Sequence, residues 1–293
     1  MVLPVVLLLS LIPSVTQANE DIANAIELFK VRRYDEARMF LESVLRVNNR
    51  NAEAHYYLGR TFFELCKYGE AAKHCKKATE LKGDNADYYY WLGRSYGSQA
   101  VHGNLLKQAQ LAPRIRKAFE TTVKLNPKHV EGRFGLGNFY ARAPALMGGS
   151  IDKAHAQVKA LTTLTEVAGR LLFARILEKE GKPDLAEAEY KKIEEMVGYS
   201  HGGYRLYHEY GGFLLRQKRY DEAIEEFKKQ VALAPTKARA HQNLGDAYRA
   251  AGNWQDSASA YREALQMNQK CEPVRKRLEK KLKKIEKALA RSR

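Results

Sequence analysis

Three cysteines in 293 residues are too few to frame a disulfide-built scaffold, and an odd number leaves at least one thiol without a partner inside the chain. Proline is scarce at eight residues, and the 20 glycines follow no collagen-like period, so fibrous and low-complexity classes are excluded. Acidic residues are in deficit: 34 Asp and Glu stand against 50 Lys and Arg, a formal charge of +16. Catalytic signatures are missing as well. The sequence has no Gly-x-Ser-x-Gly elbow, no phosphate loop and no dinucleotide fingerprint. None of its eight histidines pairs at helical spacing around a glutamate, as a zinc protease requires. No enzyme activity, cofactor or metal is therefore expected. His74 and Cys75, with Cys66 nearby, do not alter this, because neighbours on a helix point about 100° apart. Apolar residues make up 45% of the chain, enough to bury a core.

Apolar runs long enough to cross a bilayer are absent too. Val2 to Ile12 is almost wholly apolar but too short to span, and Pro13 and Ser14 end it. Small residues follow at Thr16 and Ala18. This pattern predicts a signal peptide over residues 1–18, cleaved after Ala18, although no Lys or Arg precedes the run. The expected destination is the periplasm, or alternatively the exterior. An uncleaved amino-terminal anchor is the competing reading. Residues 1–18 carry no charge, so the mature chain keeps the full +16.

The remainder repeats itself. His55-x-x-Leu58-Gly59-x-x-Phe62 recurs 34 residues on as Tyr89-x-x-Leu92-Gly93-x-x-Tyr96. Arg133-x-x-Leu136-Gly137-x-x-Tyr140, Tyr207-x-x-Tyr210-Gly211-x-x-Leu214 and His241-x-x-Leu244-Gly245-x-x-Tyr248 continue the series. A second segment follows at Tyr34-Asp-Glu-Ala37, Tyr68-Gly-Glu-Ala71, Tyr220-Asp-Glu-Ala223 and Trp254-Gln-Asp-Ser257. Apolar residues recur at three and four, a helical period. The small residues fall where two helices would cross, and the aromatics would fill the wedge beside them.

The pattern resembles the tetratricopeptide repeat, a helix–turn–helix unit of about 34 residues. The resemblance implies an all-α, right-handed α-solenoid over residues 19–271, closed by a basic capping helix at 272–293. Seven units are expected, at 18–51, 52–85, 86–129, 130–166, 167–203, 204–237 and 238–271. A single unit cannot bury its apolar face, so neighbours must stack. Cys66 and Cys75 then lie on different helices of one unit, too far apart to bridge. Units three and four carry insertions. Gly97 to Pro113 and Ala141 to Ser150 are expected as loops, the second with a Gly148-Gly149-Ser150 turn that serves either as a helix cap or as an anion nest.

In this family the first helix of each unit lines a concave face, and peptide-binding members use two positions on it. Those positions here are Ile22, Tyr56, Tyr90, Phe134, Leu171, His208 and Gln242 in one row, and Ile26, Arg60, Arg94, Asn138, Arg175, Gly212 and Asp246 in the other. The resemblance thus implies a non-catalytic interaction scaffold. Its expected partner-binding residues are Tyr56, Arg60, Tyr90, Arg94, Phe134, Asn138 and Arg175. Lysine, part of the family's carboxylate clamp, is absent from both rows, so that particular ligand does not carry over. Arginine forks beside flat aromatics suit an extended acidic or carboxylate-bearing peptide. The competing reading pairs these arginines with Glu53, Glu64 or Asp87.

Val274, Leu278, Leu282, Ile285 and Leu289 form one apolar stripe on the last helical stretch, where ten Lys and Arg accompany two Glu from Val274 onward. The stripe fits a terminal cap that covers the last core face. The alternative is a basic amphipathic helix on an anionic membrane surface. No nucleic-acid-reading motif is present, and no nucleic-acid partner is expected.

Overall fold

A computed structural model describes residues 15–198, 203–267 and 271–291. Among these the protein is all-α, with fifteen α-helices, one short 3-10 turn and no strand. The predicted signal segment lies outside the described residues up to position 14, and α1 (Val15–Lys30) runs across the predicted cleavage site at Ala18. Two compact units divide the chain, residues 1–125 and 126–293.

The first unit holds three helical hairpins: α1 with α2 (Tyr34–Val47), α3 (Ala52–Glu64) with α4 (Tyr68–Leu81), and α5 (Ala86–Val101) with α6 (Leu105–Leu125). Asn51 and Asn85 start α3 and α5 by accepting backbone N–H bonds on their side chains. Leu41, Leu58 and Phe62 bury the seam between the first two hairpins. Gly59 lies against Cys75 and the backbone of α4, where an added Cβ would sit 2.5 Å from the Cys75 sulfur. Gly93 meets the Phe119 ring in the same way. These are the helix crossings expected from the Leu-Gly motif.

The second unit continues with α7 (Val130–Arg142), α8 (Ile151–Thr162), α9 (Glu166–Lys179) and α10 (Pro183–Val197). It ends with α11 (Gly203–Arg216), α12 (Tyr220–Leu233), α13 (Ala238–Ala251), α14 (Trp254–Met267) and α15 (Glu272–Arg291). Tyr190, Tyr207, Phe213, Phe227 and Tyr261 are among its largest fully buried side chains. Gly211 lies under Phe227 and Gly245 under Tyr261, repeating the glycine-on-aromatic crossing.

The hairpin turns share a backbone device. The residue two places before the second helix has positive φ at Arg32, Cys66, Gly181, Lys218 and Gly252. Glycine adopts this conformation without steric cost, while the three side-chain-bearing residues hold it against their preference.

The first insertion departs from the loop expected, and the second keeps to it. The first becomes helix: α5 has 16 residues and α6 has 21, against 13 and 14 in α3 and α4. Three residues, His102 to Asn104, make the turn, with Asn104 capping α6 through the Lys107 N–H. Apolar and helix-favouring residues between Leu105 and Ala112 extend α6 upstream of Pro113. The second insertion stays irregular, with a 3-10 turn at Ala145–Met147 and left-handed Gly148.

Candidate functional site

Tyr56 and Arg60 are one turn apart on α3, as Tyr90 and Arg94 are on α5, so each helix places an aromatic and a cation on one face. The structure adds Trp91 between them. The Arg60 guanidinium lies 5.0 Å from the Trp91 ring centre and 4.6 Å from that of Phe29. Arg94 lies 4.3 Å from Trp91 and 4.5 Å from Phe63. The two guanidinium carbons are thus no more than about 9 Å apart, with one buried indole shared between them. Arg60 also donates to the Tyr56 hydroxyl at 3.3 Å, while its Nε is buried without a hydrogen-bond partner. Burial keeps the Tyr56 phenol protonated, its pKa raised well above the usual value. Glu64 lies one turn beyond Arg60 on α3, and Asp87 acts on the Tyr56 phenol together with Arg60, so the competing reading through Glu53, Glu64 or Asp87 stays open. Aromatic faces hold both cations by their quadrupoles.

In the second unit the same rows are differently committed. Phe134 is only 4% exposed and is covered by Arg205, whose guanidinium lies 3.5 Å from its ring centre. Arg175 forms a two-pronged salt bridge to Glu209 and donates to the Asn138 side chain at 2.6 Å. Burial alone would raise the Glu209 carboxyl, but the Arg175 charge and hydrogen bonds outweigh it and hold the pKa below the usual value. Phe134, Asn138 and Arg175, expected as binding residues, therefore already have partners within the protein. Leu171 is buried, and Asp246 is paired with Lys281 at 2.5 Å.

The residue that separates the two cases is Trp91, which a reading of two rows alone overlooks. Trp91 stands two places before Gly93, and Glu209 stands two places before Gly211. They hold the same repeat position, and each receives an arginine from the preceding hairpin's first helix. A third row, drawn at that position, carries the signal in the sequence.

Other candidates resolve plainly. Ser150 caps α8 by accepting the Lys153 N–H at 3.3 Å. The N–H groups of Gly148, Gly149 and Ser150 go to Ala145, Pro144 and Tyr140 carbonyls, so the anion-nest alternative has no donors left. Gly149 is required because a Cβ there would collide with the Ala143 carbonyl. Cys75 is a free, fully buried thiol, and burial pushes it up to about 12. His74 faces His55 at 2.9 Å, and burial, His55 and Lys73 together lower its pKa to about 4. No group of three or more His, Cys, Asp or Glu is placed to hold a metal among the described residues. On α15, Leu278 and Ile285 are buried against Ala258, Tyr261 and Ala264 of α14, with Val274, Leu282 and Leu289 beside them. The apolar stripe is spent on the core, so insertion of this face into a bilayer would require the helix to undock.

Comparison with known proteins accords with this architecture. Residues 28–95 and 204–270 each match the tetratricopeptide-repeat profile. The chain contains tetratricopeptide repeats. A crystal structure of a tetratricopeptide-repeat protein from Parabacteroides merdae aligns over 92% of this chain and 98% of its own, with a TM-score of 0.60 and 18% identity. That likeness concerns the fold. A Type IV pilus assembly protein, PilF, of Pseudomonas aeruginosa is 36% identical over 74 residues, 25% of this chain. The match spans 28% of that relative's length. Proteins built from this repeat generally mediate protein–protein interactions. No helix among the described residues is long and apolar enough to cross a membrane.

Proposed function

We propose that this protein is a non-catalytic interaction scaffold whose first unit binds an acidic, extended segment of a protein partner through Arg60 and Arg94, with Tyr56, Tyr90 and Trp91 as the aromatic floor. One observation carries the reading: two guanidiniums share the Trp91 ring, each held against aromatic faces. Like charges this close repel, and an anionic ligand relieves the repulsion while gaining two-pronged hydrogen bonds. The rigid aromatic bed limits the entropy lost on binding.

The scaffold is read as exported and working in the cell envelope. The apolar run at Val2–Ile12 with small residues at Thr16 and Ala18 supports this, as does the partial likeness to a pilus assembly protein. Amino-terminal sequencing of the protein purified from cells should begin at Asn19. A start at Met1 would remove cleavage after Ala18, favour the uncleaved anchor, and leave the binding site standing.

The binding test uses the full chain and a glutamate-rich ten-residue peptide, with its glutamine counterpart as control. Calorimetry should show binding of the acidic peptide alone, weakening with salt, and Trp91 fluorescence should change on titration. The Arg60→Ala, Arg94→Ala double variant should lose at least about tenfold in affinity with its helix content intact. Equal affinity in the double variant overturns the site.

A further inference from the structure

The α5–α6 hairpin ends in an apolar tip. Val101 is 72% exposed, Leu105 70% and Leu106 78%, gathered around the three-residue turn that joins the helices. No other described Leu, Ile or Val of the first unit is as exposed as these three, so their grouping at one apex calls for an explanation. The tip is well built. Asn104 caps α6, Gly103 bonds back to Ala100, and the His102 ring lies 5.2 Å from the Tyr68 ring. Its apolar residues are therefore displayed by an ordered turn and are not the by-product of a frayed one.

Charge around the tip is one-sided. No Asp or Glu occurs from Tyr88 to Phe119, a stretch that carries Arg94, Lys107, Arg114, Arg116 and Lys117. Lys107 is one residue from Leu106, and the cations of α6 follow along the same helix. The second insertion has the same chemistry: residues 132–151 lack any acid, and Leu146 is 90% exposed.

We infer that the α5–α6 tip is a peripheral membrane contact, in which Val101, Leu105 and Leu106 enter the interface of an anionic lipid bilayer while neighbouring cations meet its headgroups. Three considerations select lipid over other occupants. The feature is a projecting apex, and a protein partner needs roughly 800 Å² per side, more than three aliphatics supply. A second copy of this chain would bring another +16 against the first. The side chains are aliphatic, which suits shallow insertion beside acyl chains, and the adjoining basic residues add attraction to anionic lipid. The contact is independent of the acidic-peptide site, and unlike the α15 stripe its apolar residues are already outside the core.

The test is co-sedimentation of the full chain with vesicles of phosphatidylglycerol and phosphatidylcholine, and with phosphatidylcholine alone. Binding is expected to the anionic vesicles, and a Val101→Asp, Leu105→Asp, Leu106→Asp variant should partition at least about tenfold less. Circular dichroism checks that this variant keeps its helix content. A Leu106→Trp variant supplies a direct readout, because acyl chains brominated near the headgroup should quench the added fluorescence. Replacing Arg277, Lys280 and Lys284 of α15 by Glu should leave that quenching in place. Unchanged vesicle binding by the triple aspartate variant, absence of quenching at Leu106→Trp, or loss of quenching only when α15 is altered would each overturn the proposal. Binding of an acidic peptide is measured separately and is expected to be unaffected by the tip variants.

Discussion

Trp91 and Glu209 occupy one position of the repeat and give opposite outcomes to the arginine that reaches them. At Glu209 the arginine is neutralised: Arg175 is clamped by a carboxylate and tied to Asn138. At Trp91 it is only supported: Arg60 and Arg94 rest on aromatic faces and keep their charge. The second unit extends its solution to other arginines, since Arg170 pairs with Glu166 and Glu189, and Arg219 with Glu187 and Glu222. One fold thus clamps a half-buried arginine with a carboxylate in one region and beds half-buried arginines on an indole in the other.

The largest expected effect comes from breaking the strut. Glu209→Ala leaves Arg175 half-buried and unpaired, and should destabilise the protein by about 3 kcal/mol. Urea unfolding followed by circular dichroism measures it. Arg60→Met in the first unit provides the contrast, because it removes a charge bedded on aromatic rings and keeps apolar contact. It should change stability by less than about 1 kcal/mol. If the two losses are equal, the contrast between the units is wrong.

Grafting one solution onto the other comes next. Trp91→Glu gives Arg60 and Arg94 an internal counter-ion, and should reduce affinity for the acidic peptide by about tenfold, or 1.4 kcal/mol. The melting temperature, recorded alongside, shows how much of the change is lost core packing.

Acid should also separate the two regions. Hydrogen bonds from Arg219, followed by those from Lys191, overcome the opposing effect of burial and hold Glu187 down at about 2, against an ordinary value of 4.5. A carboxyl depressed on folding stabilises the native state above its unfolded pKa, and that contribution disappears as pH falls from about 4.5 to about 2. Glu187→Gln should therefore lower stability at neutral pH by about 1 kcal/mol and flatten the acid limb of the stability curve. A variant whose acid limb matches the wild type would count against the pairing.

The smallest effect concerns the turns. Lys218 and Arg32 hold left-handed backbone that Gly181 and Gly252 adopt freely at the same hairpin position. Lys218→Gly should raise stability by about 0.5–1 kcal/mol, the relief of strain being partly offset by a more flexible unfolded chain. A lowered melting temperature would show that the lysine stem packs usefully there.

Much of the architecture was readable before any coordinates. The Leu-Gly motif recurs because a helix crossing tolerates only a small residue, and Gly59, Gly93, Gly211 and Gly245 all lie against the following helix. The apolar stripe of the last stretch pointed to a cap, and α15 packs on α14 through that stripe. Ser150 was legible as a cap because its chemistry is local. The first insertion was misjudged: glycine and asparagine around the turn drew attention to a loop, while the helix-favouring residues on either side lengthened α5 and α6. The binding rows say less about what each side chain touches. They name Arg60 and Arg94, which meet Trp91, alongside Phe134 and Arg175, whose partners Arg205 and Glu209 come from a later hairpin.

By itself the sequence determined an all-helical chain of repeating hairpins with a basic excess, because helical period and crossing residues act over a few turns of one chain segment. Which arginines retain their charge, and which leucines remain outside, was decided only by tertiary structure. Charge cancellation and burial depend on side chains some thirty residues away in sequence that stacking brings within a few ångströms.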